Sequence, residues 1–202
     1  MLLLALAAAL APARLPPVDR CHGNASFDAF RTALVRAADQ RDARAVMRLV
    51  ADDVQVDFGG GSGKAAFAKA WKLDRPRQSK LWREIKTIVR LGCVYEHGGW
   101  LMPSFSSQLE TQLDPLTTLF AIMPGSPLRS KPSEDSPVAA RLNWDILTLQ
   151  EVSVDDRWLQ VRLRDGTTGY VRASEVRSPL DNRLTVGRIN GALRITAFVA
   201  GD

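Results

Sequence analysis

The sequence predicts an α+β protein in which an N-terminal region of helices and one strand precedes a small all-β region. Two observations carry this prediction. Apolar residues recur at helical spacing as far as Val89, and they alternate with a period of two from Leu142 onward. Between these regions, five prolines from Pro115 to Pro137 exclude a long helix. With 202 residues, 46% of them hydrophobic, the chain can build one core or two small ones.

The first thirteen residues, MLLLALAAALAPA, are an apolar run that ends in small residues in an A-x-A pattern. The run is too short to span a bilayer and is typical of a secretory signal peptide, so residues 1–13 are predicted to be one. The alternative is a buried N-terminal helix. No other stretch has the length and hydropathy of a membrane span. The predicted location is therefore periplasmic or secreted.

Cys21 and Cys93 are the only cysteines of the chain. In an exported protein an even number of cysteines indicates pairing, so the two are predicted to form one disulfide. The bond would close a loop of about 70 residues, which the chain-entropy model values at roughly 4 kcal/mol of stability. The alternative, two separate buried thiols, stays open at this point.

The first half of the chain is predicted to contain amphipathic helices and one strand. Ser26 and Asp42 are the predicted N-caps of the first two helices. The stretch VQVDF at 54–58 alternates with a period of two and is predicted to be a strand, and helical spacing returns between Leu81 and Val89. The apolar residues that define the helical faces are Phe27, Phe30, Leu34, Ala38, Ala43, Val46, Met47, Val50, Leu81, Trp82, Ile85, Ile88 and Val89.

The stretch FGGGSGKA at 58–65 resembles a phosphate-binding loop, but it fails the pattern G-x-x-x-x-G-K-[ST] at two fixed positions. Phe58 stands where the first glycine is required. Ala65 stands where a hydroxyl would ligate magnesium. The segment is therefore predicted to be a strand-to-helix connection, and no cofactor is expected.

The second half of the chain alternates with a period of two. LNWDI at 142–146 places Trp144 on the face of its apolar neighbours, which predicts a strand with this ring in the core. WLQVRL at 158–163 alternates in the same way, and Asp165-Gly166 is a hairpin signal. Asn190-Gly191, flanked by two further apolar stretches, predicts a second hairpin at the C-terminus.

Several motifs of residues 118–179 stand in the order found in bacterial SH3-like domains. PLRSKPS at 127–133 is similar to the opening motif of that family, and VAARL at 138–142 stands where its next strand begins. WLQVRL at 158–163 followed by DGTTGYV at 165–171 resembles the closing pattern of the family. One departure is Lys131, where the family commonly has glycine, so that turn is expected to be reshaped.

The SH3-like resemblance implies a small barrel of short strands that binds a ligand rather than catalyses a reaction. In exported bacterial proteins it implies attachment to cell-wall peptidoglycan, or contact with a protein or peptide. Gly166 and Gly169 are expected to supply turn geometry that a residue with a Cβ tolerates poorly.

The flanking segments are similar, more weakly, to a nuclear-transport-factor-like cone domain. The similarity lies in RDA at 41–43, in ADDV at 51–54 before a strand, and in RINGALRI at 188–195. It implies an α+β domain built from residues 21–112 plus 182–202, with the barrel inserted between them. Two sequential domains with a hairpin extension are the alternative. The split arrangement is preferred because an isolated hairpin is marginally stable in water.

Aromatic and basic residues of the SH3-like region are the best candidates for a ligand surface. Trp158 shares a strand face with Gln160 and Arg162, an arrangement in which its ring would be half exposed. The alternative, that the ring packs inside the barrel, is preferred because aromatic rings make up much of a small core. The candidate ligand-binding residues are Trp158, Tyr170, Arg129, Arg162 and Arg172.

No catalytic, cofactor-binding or metal-ligating residues are predicted. Asp52, Asp53 and Asp57 form the densest acidic cluster, but their spacing matches no metal motif and favours solvated carboxylates. His22 and His97 do not form a zinc motif with the two cysteines. The formal net charge of +5, without a basic run interleaved with aromatics, gives no indication of nucleic-acid binding.

The predicted function is that of an exported, non-enzymatic binding or scaffold protein whose SH3-like domain contacts peptidoglycan or a protein or peptide. The alternative is a cone-domain enzyme or small-molecule binder with an SH3-like accessory domain, in which Asp53 or Asp57 would act. An apolar cavity with an inward-pointing carboxylate would favour the enzyme, and a filled core the binder. In a third interpretation the barrel only covers the first domain.

Overall fold

A computed structural model describes residues 14–107, 113–152 and 157–201. Helices and sheets are both present, which confirms the α+β class. The described residues divide into two compact units: the α+β unit (residues 17–107 and 180–201) and the β unit (residues 14–16, 113–152 and 157–179). The predicted signal peptide, residues 1–13, lies outside the described residues.

The described residues form these helices and strands. The α-helices are α1 (Ala25–Asp39), α2 (Ala43–Leu49), α3 (Lys64–Ala70) and α4 (Leu81–Arg90). The strands are β1 (Val50–Gln55), β2 (Val94–Glu96), β3 (Gly99–Met102), β4 (Thr118–Ala121), β5 (Ser126–Arg129), β6 (Val138–Leu142), β7 (Ile146–Val152), β8 (Trp158–Leu163), β9 (Thr168–Arg172), β10 (Val176–Arg177), β11 (Arg183–Ile189) and β12 (Ala192–Val199).

The helices follow the predicted apolar spacing, and one of the two predicted caps is correct. Asp42 accepts the Ala45 N–H at 2.9 Å and caps α2 as expected. Helix α1 is capped by Asn24, whose side chain accepts the Phe27 N–H at 3.1 Å, and not by Ser26, because the helix already begins at Ala25. No helix in the described part of the chain is long and apolar enough to cross a membrane.

The C-terminal hairpin lies inside the sheet of the α+β unit. The strand order of this five-stranded sheet is β1-β12-β11-β3-β2, with β1 parallel to β12 and the other pairs antiparallel. Asn190 and Gly191 both have positive φ, at 47° and 81°, as a two-residue hairpin turn requires, so the predicted hairpin is confirmed. Strands from both ends of the sequence therefore share one sheet.

Aromatic rings fill the core between this sheet and the helices. Phe27 of α1 stacks on Trp100 of β3 with ring centroids 5.0 Å apart. Phe198 of β12 lies 6.0 Å from Phe67 of α3 and 4.8 Å from Trp71, again between centroids. Because the rings come from helices and from the last strand, the hairpin contributes to the same core as α1 and α3.

The predicted disulfide between Cys21 and Cys93 is present. It lies where the segment before α1 runs beside the start of β2, with the Cys93 N–H donating to the Val18 carbonyl oxygen at 2.9 Å. Asp19 lies close to both sulfurs. The disulfide consumes the two thiolates that a metal ion would need at this cluster.

The first strand begins earlier than predicted. β1 spans Val50–Gln55 rather than 54–58, because its pairing with β12 already starts at Val50. The chain turns after it: the Val56 N–H donates to the Gly61 carbonyl oxygen at 2.9 Å, and Asp57 accepts the Gly61 N–H at 2.7 Å. The glycine-rich segment is thus held by its own neighbours in the chain.

The strand predicted across LNWDI is a turn between β6 and β7. Trp144 has a φ of 63° and is half-buried, so its predicted place in the core is wrong. Alternation along a continuous strand would point Trp144 inward and Asp145 outward, but the turn places Asp145 inside instead. Asp145 is the buried residue of the turn, and its carboxylate pairs with the Arg14 Nε at 3.2 Å.

The β unit is a seven-stranded sheet with its own apolar core. The strand order is β10-β4-β7-β8-β9-β5-β6, and every pair is antiparallel. Gly166 has a φ of 91° in the β8–β9 turn, as expected. Gly169 is not in a turn: it lies in β9, where an added Cβ would stand 2.7 Å from both the Arg129 carbonyl oxygen and the Leu128 Cγ.

Gly169→Ala is therefore expected to destabilise the β unit by about 1–3 kcal/mol, because β9 would have to move away from β5. Urea unfolding of the two proteins would measure this change. Gly59→Ala is the control, since this glycine does not have positive φ and an added Cβ there would meet its nearest atom at an ordinary 3.4 Å. An unchanged midpoint for Gly169→Ala would contradict the close approach of the two strands.

Candidate functional site

The outer face of β8 and β9 brings most of the predicted ligand-binding residues together. The buried valines of these strands point into the core of the β unit, and the alternate residues point outward. Trp158 lies opposite Arg172 in the register, and Tyr170 lies opposite Arg129 of β5. The face predicted for Trp158 is therefore correct.

Arg172 covers the ring of Trp158. The guanidinium carbon lies 5.0 Å from the ring centroid, and Trp158 is 5% exposed. The ring of Trp158 is therefore buried rather than half exposed, although it lies outside the apolar core cluster. Stacking on an indole orients a guanidinium and keeps its N–H edge free for other contacts. A direct contact of Trp158 with a ligand stays a prediction.

Glu134 joins Arg172 to Arg129. Its Oε1 pairs with the Arg172 Nη2, and its Oε2 lies 3.4 Å from the Arg129 Nη2. We call Arg129, Glu134, Trp158, Tyr170 and Arg172 the arginine–tryptophan patch. Because two guanidinium groups face one carboxylate, the patch keeps an excess of positive charge.

Arg129 is held beneath the loop of residues 130–137. Its Nη1 donates to the Ser136 carbonyl oxygen at 2.8 Å, and its side chain is 16% exposed. The Nε atom is buried and has no hydrogen-bond partner among the described residues. The Nε and Nη2 atoms of a guanidinium form one edge that can hold both oxygens of a carboxylate. In Arg129 this edge has one long contact, the one with Glu134.

The remaining candidates lie on the same face but differ in their surroundings. Tyr170 is half-buried between Gln160 and Arg129. Arg162 is exposed and four residues from Trp158, about 13 Å along an extended strand, so it lies outside the patch. Glu134 is not among the residues predicted from the sequence. The signal in the sequence that could have indicated it is an acidic residue in the loop that directly follows Arg129 of β5.

The acidic cluster of the α+β unit faces solvent. Asp52, Asp53 and Asp57 are all exposed. Lys64 donates to Asp52 at 2.6 Å, and this hydrogen bond and charge lower the pKa of the Asp52 carboxyl below its ordinary value. These two residues line a groove of about 440 Å³ whose other charged lining residues are Arg48 and Arg194. The carboxylates that the enzymatic alternative requires do not point into the core.

Residues 124–178 match the family model of the bacterial SH3 domain. This match confirms the resemblance drawn from the sequence motifs, and it includes every residue of the arginine–tryptophan patch. The chain thus contains a bacterial SH3-like domain, which indicates a binding module. No curated protein and no solved structure gives a significant match to the chain. The similarity of the flanking segments to a cone domain finds no support in these comparisons.

Proposed function

We propose that the chain is an exported, non-enzymatic binding or scaffold protein whose SH3-like domain contacts cell-wall peptidoglycan or a protein or peptide. The arginine–tryptophan patch carries this proposal. Two guanidinium groups, one of them stacked on an indole, share the outer face of the domain. Such a surface suits ligands that combine anionic groups with amides, and both peptidoglycan stem peptides and protein segments do so.

The disulfide supports the exported location. Bonds of this kind persist in the periplasm and outside the cell, whereas cytosolic thiols are kept reduced. The apolar N-terminal run with its A-x-A ending points the same way. In those compartments the domain would meet peptidoglycan directly.

Co-sedimentation with purified peptidoglycan tests the proposed ligand. The folded chain is expected to sediment with the insoluble glycan and to be released by an excess of soluble glycan fragments. The heat-denatured chain is the reference for nonspecific adsorption. Retention of the folded chain no greater than that of the denatured chain would remove peptidoglycan as the ligand.

Arg172→Ala is expected to weaken the retention about tenfold, because arginines at the centre of a binding surface contribute strongly to affinity. The bound fraction at increasing glycan concentration measures the effect. Arg44→Ala is the matched control, since Arg44 is an exposed arginine of α2 in the other unit and its loss changes the net charge equally. Equal weakening by both variants would indicate a general effect of charge and contradict the role of the patch.

The enzymatic alternative has less support. The core of the α+β unit is packed with aliphatic and aromatic side chains, and the aspartates that would act in a pocket are exposed. The groove beside Lys64 is lined by charged residues and is open to a small anionic molecule, but Asp52, the carboxylate among its described lining residues, is exposed and paired with Lys64. These features favour the binding protein.

A further inference from the structure

The carboxylate of Glu134 lies between two arginines of the arginine–tryptophan patch. Its two oxygens face the guanidinium groups of Arg172 and Arg129, and Arg172 is itself oriented by the ring of Trp158. Glu134 is 49% exposed, whereas Arg129 beneath it is 16% exposed. The loop that carries Glu134 is closed by a hydrogen bond from the Ser130 N–H to the Pro137 carbonyl oxygen at 3.0 Å. The chain itself therefore supplies the anion at this surface.

The contact between Glu134 and Arg129 is incomplete. The distance of 3.4 Å between Oε2 and Nη2 exceeds the 2.7–2.9 Å of a charge-assisted hydrogen bond. The neighbouring Nε, on the same edge of the guanidinium, has no partner among the described residues. Glu134 cannot fill both donors while its other oxygen pairs with Arg172. A carboxylate that approached Arg129 along this edge would satisfy both.

We propose that Arg129 and Arg172 form a binding site for a peptide carboxylate, and that Glu134 occupies this site until a ligand displaces it. The inference rests on the proposed function, because it names the ligand group that the same patch recognises. Exposed ion pairs are weak, so Glu134 can leave without unfolding the domain. The incoming carboxylate would gain the paired donors of Arg129 and keep the stacked guanidinium of Arg172.

Two sources can present such a carboxylate: the end of a peptidoglycan stem peptide and the C-terminus of a protein. The test therefore titrates the full chain, labelled with ¹⁵N, with N-acetyl-D-alanyl-D-alanine and separately with N-acetyl-L-alanyl-L-alanine. The C-terminal amides of both dipeptides are the uncharged controls. The readouts are the NMR shifts of the Trp158 indole N–H and of the Nε–H groups of Arg129 and Arg172.

Glu134→Gln is expected to bind the dipeptide acids about fivefold more tightly than the wild type, because an exposed intramolecular ion pair competes by roughly that factor. Asp135→Asn is the matched control: it removes the same charge from the same loop, and Asp135 forms no ion pair among the described residues. It should retain the wild-type affinity. Adding Arg172→Ala to the Glu134→Gln variant should abolish the shifts.

Tighter binding of the D-alanyl-D-alanine dipeptide assigns the site to peptidoglycan stem peptides. Tighter binding of the L-alanyl-L-alanine dipeptide assigns it to the C-termini of proteins. Equal binding of the two dipeptides assigns it to peptide carboxylates of either source. Equal affinity of the wild type and Glu134→Gln would overturn the inference. Equal binding of acids and amides would also overturn it.

The co-sedimentation experiment with peptidoglycan distinguishes a failure of the carboxylate site from a failure of the proposed binding function. If the wild type sediments with peptidoglycan but Glu134→Gln binds the acids no better, the carboxylate site is wrong and the binding function stands. If neither protein sediments and the variant still binds the acids fivefold more tightly, the site stands and peptidoglycan is not the ligand.

Discussion

Replacing Cys21 and Cys93 together by alanine is expected to lower the free energy of unfolding of the α+β unit by about 4 kcal/mol. The two residues are separated by 72 positions, so their bond removes much of the freedom of the unfolded chain. Both are buried, and alanine introduces no polar group at either site. Urea unfolding of the oxidised wild type and of the variant would measure the difference.

Chemical reduction provides the control for this variant. A reductant is expected to bring the wild type close to the stability of the double variant and to leave the variant unchanged. This comparison separates the loss of the cross-link from any change in packing at the two sites. A variant that unfolds at the same urea concentration as the oxidised wild type would contradict a stabilising role of the bond.

Phe198→Ala is expected to destabilise the α+β unit by about 3–5 kcal/mol, which is the usual cost of deleting a buried phenylalanine ring. Phe198 is 1% exposed and packs against Phe67 and Trp71. The substitution leaves a cavity between α3 and the last strand. Tryptophan fluorescence during urea unfolding would report the loss, since Trp71 borders the cavity.

Phe58→Ala is the matched control for Phe198→Ala. Phe58 belongs to the same unit but is 49% exposed, with the Arg183 guanidinium 5.5 Å from its ring centroid. Its removal is expected to cost less than about 1 kcal/mol. Equal losses in the two variants would contradict the packing of the hairpin into the core.

The helices and hairpins that depend on residues close together in the sequence were predicted correctly. Helix α4 follows from the spacing of its buried residues, and the C-terminal hairpin follows from Asn190-Gly191, because each depends on neighbours a few positions apart. Alternation failed at Trp144, where a single residue with positive φ reverses the chain inside an apparently regular strand. The pattern of side chains alone does not distinguish such a turn from a continuous strand.

The candidate site was predictable in its faces but not in its contacts. Alternation placed Trp158 on the outer face of β8, yet it gave no information about the Arg172 side chain that covers the ring. Glu134 stands in a loop 24 positions before Trp158, and its approach to both arginines depends on the fold of that loop. Contacts of this kind arise from tertiary structure, and no periodicity encodes them.

Strands β11 and β12 lie between β1 and β3 in the sheet but follow both in the sequence. The sheet therefore cannot be completed until late in synthesis. About 80 residues separate the end of β3 from the start of β11, and their synthesis takes roughly 4–16 s at common translation rates. During that interval β1 and β3 have no central strands to pair with. The α+β unit, whose first strands are synthesised early, is therefore completed only after the SH3-like domain has been synthesised. A stop codon before β11 would leave β1 without its partner and β3 paired only with β2, even with the SH3-like domain intact.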